Sequence, residues 1–317
     1  MWTRWAQAVR EWAYRDNGNS QPSVRIGVAL GGGFARCLAH VGVLQVFEEQ
    51  RIPIHAIAGI SSGAMVAAAY ASGTPLEEIV STGACTSFSS YARWTLSRVG
   101  LASNERMAPY LRKILRHTRF EEMQKPVAVV ATDLVTGAPV VFRDQGDIVD
   151  PIRASCAYPG LFLPVEINGR WLVDGAISAN VPVSAVAQMG ATHVIAVYLQ
   201  TVPETGSRPA SIFQVVSRCF AIMQDRMIAD WRQGAHLMIE PDVRTFAWDD
   251  FGRVSRLVAA GRAAALEALP QIRAWLEPRS LAHDVRYSHR RRSSNPRPAG
   301  PVSQPRKVGQ LGTGSSS

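Results

Sequence analysis

Twice near its start this chain runs from a short apolar strand pattern through a small-residue turn directly into a helical pattern. Val24 to Leu30 is an apolar run ending in Gly31-Gly32-Gly33, and Arg36 to Gln50 follows with helical spacing through Leu38, Val41, Leu44 and Phe47. His55 to Ile60 repeats the buried-strand pattern, and Ser62 to Ala71 is an Ala-rich helical stretch. A strand can lie parallel to its predecessor only if a crossover element carries the chain back, so this unit points to a parallel sheet with helical cover.

The remaining pattern agrees. Val127 to Ala131 and Pro139 to Phe142 read as strands flanking a turn at Asp133 to Gly137. Arg170 to Val173 reads as a short strand, Val183 to Met189 as a helix and His193 to Tyr198 as a strand. A helix over Ile212 to Arg232, a strand at Leu237 to Ile239 and a last helix from Val254 complete the body. Pro270 lacks an amide proton and is expected to break or kink that helix near Leu269. Strand signals are scarce between Leu76 and Arg116, where three helical segments are expected. The expectation is an α/β fold, a three-layer α/β/α sandwich with a mainly parallel central sheet.

The two ends differ from this body. Trp2, Trp5, Val9 and Trp12 fall on one helical stripe, with Arg4, Gln7, Glu11 and Arg15 outside it, ahead of a turn-rich linker over 16–22. The stripe suits a helix docked on the main domain or an interfacial anchor. The net charge of +9 is concentrated at the other end: from Arg279 onward eight Arg or Lys face one acid, Asp284, a net of +7 that leaves +2 for the rest. That tail is rich in Ser, Pro, Gly and Arg and is expected to be disordered. The expected division is an N-terminal segment and linker (1–22), a catalytic domain (23–278, with its motifs within about 26–189) and a basic tail (279–317). The charge distribution argues against a specific nucleic-acid partner; peripheral membrane contact would run through the Trp stripe or the tail.

Cys37, Cys85, Cys156 and Cys219 are widely spaced and form no C-x-x-C pair, which argues against a structural zinc site or a disulfide framework. No cluster has metal-ligand spacing, and no metal or cofactor is expected. There is no apolar run of about 18 residues and no signal-peptide core, so a cytoplasmic, at most membrane-peripheral, location is expected.

Three short motifs carry chemistry. Gly59-Ile60-Ser61-Ser62-Gly63 is a G-x-S-x-G between strand and helix, the context of a nucleophile elbow. The turn would push the Ser61 hydroxyl out at the top of the sheet, with the following helix adding partial positive charge where an oxyanion forms. Gly31-Gly32-Gly33-Phe34-Ala35-Arg36 is a glycine turn in the same context. It matches a dinucleotide fingerprint poorly, because Arg36 stands where the third glycine belongs, and it has no Gly-Lys-Ser/Thr. A tight turn and a cradle for an oxyanion both remain open. Asp174-Gly175-Ala176 follows the strand Trp171 to Val173; an isolated Asp-Gly is usually a turn, but a carboxylate there could take the Ser61 proton.

Taken together and in this order, the three motifs resemble the patatin-like phospholipase family. Ala154 to Pro164 and Ala131 to Gly137 resemble further blocks of it, and the resemblance covers roughly Ile26 to Met189. It implies a Ser–Asp dyad without histidine on a three-layer sandwich, with Ser61 as nucleophile and Asp174 as base. Backbone amides from Gly31, Gly32 and Gly33, with Arg36 nearby, would form the oxyanion hole. The implied substrates are phospholipids, lysophospholipids and other acyl esters. Cys37 departs from the family pattern, which has glycine after the basic residue, and is read as a small packed residue.

Alternatives remain at this level. A Ser–His–Asp triad would nominate His193 or His236, both poorly placed near predicted strands. His40 reads as a satisfied polar residue on the first helix, and Asp133 as part of a turn. Acyl transfer, or a catalytically silent acyl-binding protein on the same fold, would use the same site.

Overall fold

The computed structural model describes residues 24–200 and 208–277; the Trp2–Trp12 stripe, the linker and the basic tail lie outside the described residues. In chain order the strands are β1 (Ile26–Leu30), β2 (Ile54–Ile60), β3 (Arg93–Trp94), β4 (Ala102–Ser103), β5 (Val127–Asp133), β6 (Pro139–Phe142), β7 (Val165–Ile167), β8 (Arg170–Asp174), β9 (His193–Val197) and β10 (Leu237–Ile239). The α-helices are α1 (Leu38–Glu49), α2 (Ser62–Ala71), α3 (Leu76–Ala84), α4 (Met107–Ile114), α5 (Val149–Ser155), α6 (Val183–Gln188), α7 (Ile212–Arg226), α8 (Ile228–Arg232) and α9 (Val254–Leu276).

The central sheet is mainly parallel. Strands β10, β9, β1, β2 and β5 are neighbours in that order and all run the same way. Alternate side chains of these strands feed two cores, as strand geometry requires. Val28, Leu30 and Ile57 pack with Leu38, Leu44 and Phe47 of α1 and Leu257 of α9. Ala29, Ala58 and Ile60 face the other way, with Val183 and Val186 of α6 and Trp231 of α8. Helices therefore cover both faces.

One feature of the sheet positions the site. Strand β5 carries β6 along one edge, while its other edge is divided between two strands. Ile57–Ile60 of β2 pair with Val127–Val130, and β8 then takes over antiparallel, with Asp174 opposite Ala131. The C-terminal residue of β8 thus arrives beside the point where the chain leaves β2. Strand β7 pairs with β8 as a hairpin.

Three local expectations are corrected, and two elements are added. Between α3 and α4 stands no third α-helix but a 3₁₀ turn (Phe88–Ser90) and a β3–β4 ladder whose base is bonded to Leu161: Ala102 N donates to Leu161 O (2.8 Å). The helix expected over Ile212–Arg232 is divided at Met227, whose amide donates to both Met223 O (3.0 Å) and Gln224 O (3.2 Å). Helix α9 continues through Pro270 to Leu276, because one lost backbone bond weighs less than packing its buried stripe of Leu257, Ala265, Leu269 and Ile272. Helix α5 and strand β7 had no counterpart in the sequence pattern.

Candidate active site

Ser61 sits between β2 and α2 at φ 55° and ψ −131°, a backbone region that a residue with a Cβ adopts only when its surroundings hold it there. Ser155 and the following helix do so. Ser61 N donates to Ser155 Oγ (2.8 Å), and Ser155 Oγ donates its own proton to Val130 O (2.6 Å). Ala64 N donates to Ser61 O (2.9 Å), which starts α2. The turn also passes against the glycine loop: a Cβ on Gly63 would stand 2.4 Å from Gly31 O. Gly59 and Gly63 bracket this crossing.

The glycine loop differentiates its three amides. Gly31 N donates to Val197 O (3.1 Å) and Gly33 N to Ser62 Oγ (3.1 Å). Gly32 N is left free, and Gly32 is the glycine beside the hydroxyl, with its Cβ direction 3.8 Å from Ser61 Oγ. His40 Nε2 donates to Gly31 O (2.8 Å) from a fully buried position, which requires the proton on Nε2. Its Nδ1 has no partner, so the expected satisfied histidine is only half satisfied. Arg36 lines the same cleft, and its buried Nε lacks a partner.

Asp174 is 1 % exposed and fixed on both sides of its backbone: its N–H donates to Ala157 O (3.0 Å), and Thr132 Oγ1 donates to its carbonyl (3.0 Å). Its Oδ1 accepts from Ala176 N (2.9 Å), and Asp174 lines the same cleft as Ser61. Burial pushes the Asp174 carboxyl up to about 7, against the opposing pull of the Ala176 amide and the nearby Ser61 hydroxyl. Gly175 makes this approach feasible, since a Cβ there would lie 2.2 Å from Val130 O.

Two cavities meet at Ser61. One, about 830 Å³ including its mouth, is apolar and runs along α2 past Met65, Val66 and Ala69. The other, about 1820 Å³ with its opening, is a more polar cleft of mixed lining that holds Gly32, Arg36, Asp174 and Asn180. Phe34 borders both, and its ring rests against Tyr158 (5.5 Å) and Trp248 (5.2 Å). Cys37 lies in the apolar wall, where lost solvation pushes its thiol up to about 12, far from a reactive thiolate.

The rival residues are elsewhere. His193 pairs with Ile26 at the N-terminal end of β1, and His236 directly precedes β10, at the edge of the sheet opposite Ser61. Asp133 accepts from Val135 N (2.9 Å) and Thr136 N (3.1 Å), bonds that hold its carboxyl below its ordinary range and make it a turn residue. Ser155 had no signal of its own: it lies in a block that resembles the family, but no spacing links it to Ser61. Among the described residues no group of three or more His, Cys, Asp or Glu could hold a metal ion, and no helix is long and apolar enough to cross a membrane.

A mainly parallel α/β sheet with a strained serine at the end of a strand and a buried carboxylate in the same cleft defines a class of α/β proteins with a strand–serine–helix elbow. Within that class, this chain belongs to the patatin-like phospholipase family, whose model matches residues 28–187. It is 36 % identical over 190 residues to NTE family proteins of Mycobacterium tuberculosis and Mycobacterium bovis, across 59 % of this chain and 52 % of theirs. A lysophospholipase of Cryptococcus neoformans is 32 % identical over 192 residues, 58 % of this chain and 12 % of that one. The chain thus spans about half the length of the mycobacterial relatives it matches. Among solved structures, VipD from Legionella pneumophila aligns with a TM-score of 0.47 at 15 % identity, over 80 % of this chain and 68 % of that one.

Proposed function

We propose that this protein is a serine acyl-ester hydrolase acting on lipids, of phospholipase A or lysophospholipase character, with Ser61 as nucleophile and Asp174 as its base. The observation that carries this reading is the position of Ser61 on the wall shared by an apolar cavity and a cleft lined by Arg36 and Asn180, with the buried Asp174 in that same cleft. A lipid ester has that same division, an acyl chain on one side of the carbonyl and a polar alcohol on the other. The similarity to a fungal lysophospholipase points the same way.

In the proposed reaction, Ser61 Oγ attacks the ester carbonyl carbon while its proton passes to the Asp174 carboxylate. The oxyanion is met by the free Gly32 N–H of the loop after β1, with Arg36 adding positive charge in the cleft; Gly31 and Gly33 shape the loop with amides already engaged. Collapse of the intermediate breaks the bond to the alcohol, which leaves with the proton from Asp174. Water then attacks the acyl-enzyme, gives a proton to Asp174, and the fatty acid departs as Ser61 regains its hydrogen.

Labelling with a fluorophosphonate, located by peptide mass spectrometry, tests the assignment. Label on Ser61 that is lost in Ser61→Ala and falls steeply in Asp174→Asn is expected. Absence of label on folded wild-type protein would remove the catalytic reading.

A further inference from the structure

The β3–β4 hairpin is an exposed apolar tip on a basic segment. Trp94 is 68 % exposed, Val99 54 % and Leu101 46 %, and Leu96 is fully exposed. A soluble surface rarely gathers such side chains in one short loop unless something covers them. No carboxylate occurs between Glu78 and Glu105, whereas Arg93 and Arg98 flank the tip and Arg106 follows it. Glu105 is paired with Arg93 (3.4 Å), so the local charge is net positive.

The hairpin is joined to the apolar cavity. Thr95 N donates to Leu101 O (3.0 Å) and closes the tip, while Leu101 N donates to Leu161 O (3.0 Å) and Leu163 N to Ala102 O (2.9 Å). Gly100 passes so near Phe162 that a Cβ there would stand 2.9 Å from the Phe162 carbonyl. The Trp94 ring packs on Phe88 (5.6 Å), and Phe88 stacks on Phe162 (5.8 Å), which lines the cavity beside Ser61. An unbroken apolar path therefore leads from the exposed tip to the cavity wall.

We infer that this hairpin docks the protein on an anionic lipid surface, with Trp94, Leu96 and Val99 entering the interface and Arg93 and Arg98 meeting the headgroups. Tryptophan and arginine are the residues that suit the boundary between headgroup and acyl region, and positive charge draws such a loop to an anionic leaflet. Docking there would bring the Phe162 wall of the apolar cavity toward the source of acyl chains. That consequence rests on the proposed hydrolase reading; the docking itself does not.

The test uses the full chain carrying Ser61→Ala, so that vesicles remain intact. Hydrogen–deuterium exchange is followed with and without phosphatidylcholine vesicles containing phosphatidylglycerol. Slowed exchange across residues 94–101 on adding vesicles is expected, and it is reduced in pure phosphatidylcholine. The double variant Trp94→Ser, Leu96→Ser is expected to lose that protection, and in the Ser61 background to keep hydrolysis of a soluble short-chain ester while activity on vesicles falls about tenfold or more. Unchanged exchange at 94–101 overturns the inference. So does a wild type of twice the monomer mass by light scattering whose double variant is monomeric, which would make a second copy of the chain the occupant. Failure of the soluble ester to react would instead count against the hydrolase reading alone.

Discussion

His40 Nε2 donates to the Gly31 carbonyl across 2.8 Å, on the opposite side of the same peptide unit from the free Gly32 amide. A trans peptide is planar, and its C=O and N–H point in opposite directions. Holding the Gly31 carbonyl toward α1 therefore fixes the Gly32 N–H, in the glycine that lies beside Ser61, pointing away from α1. His40 is a positioning residue in this arrangement. His40→Leu is expected to lower kcat about 10²-fold with little change in KM, the signature of a weakened oxyanion donor, and His40→Gln, which can still donate, to recover part of it. Equal losses in kcat and in folded fraction by circular dichroism would reduce His40 to a packing role.

The same residue predicts acid sensitivity. Burial pushes the His40 imidazole down to about 4, below its unfolded value of roughly 6.5. Because the unfolded chain binds this proton first, the stability from neutral His40 is complete above pH of about 6.5 and is lost as pH falls toward 4, by about 3 kcal/mol. Urea unfolding at pH 7 and pH 5 checks this: wild type is expected to lose stability between them, and His40→Leu to lose much less.

Asp174 runs the opposite way. Its carboxyl is raised to about 7, so kcat/KM is expected to climb as Asp174 ionises, with a midpoint near that value. Its folded value lies above the unfolded one, so its favourable contribution is present at low pH and lost as pH rises through about 7. Asp174→Asn is therefore expected to cost about 10⁴-fold in kcat and yet to raise the melting temperature at pH 8. A variant that is inactive and less stable at pH 8 would contradict the burial account.

Ser155 holds the strained serine from a distant part of the chain. Its hydroxyl accepts from Ser61 N at 2.8 Å and donates to Val130 O at 2.6 Å, so Ser155→Ala takes a buried hydrogen bond from each of two backbone groups. A loss of about 2–4 kcal/mol in unfolding free energy is expected, with a slower rate of fluorophosphonate labelling at Ser61 in the protein that remains folded. Labelling at the wild-type rate would show that the elbow keeps its geometry without this bond.

The apolar cavity follows α2 from Ser61 to Ala69, about 12 Å at the helical rise per residue. A larger side chain at its far part should block long acyl chains and spare short ones. Ala69→Leu is expected to lower kcat/KM for a long-chain ester about tenfold relative to a butyrate ester of the same alcohol. An unchanged ratio would place the acyl chain outside this cavity.

The amino-acid pattern alone carried the order of most strands and helices, the mainly parallel character of the sheet, and the location of Ser61 at a strand–helix junction. These are local properties: apolar period, small residues at turns and the residues that stop a strand. The hairpin at 93–103 escaped this reading because its two-residue strands show no period and are held by bonds to Leu161 and Leu163 rather than by their own propensity. The sequence motifs also could not say which glycine amide is free, since that depends on Val197 and Ser62 taking the other two. Only the tertiary structure brought β8 end to end with β2 along one edge of β5, and so Asp174 to Ser61. It alone linked Ser155 to Ser61 across 94 residues and set His40 against Gly31. Periodicity reports which face of an element is buried, whereas the neighbour that buries it is chosen by the packing of the whole sheet.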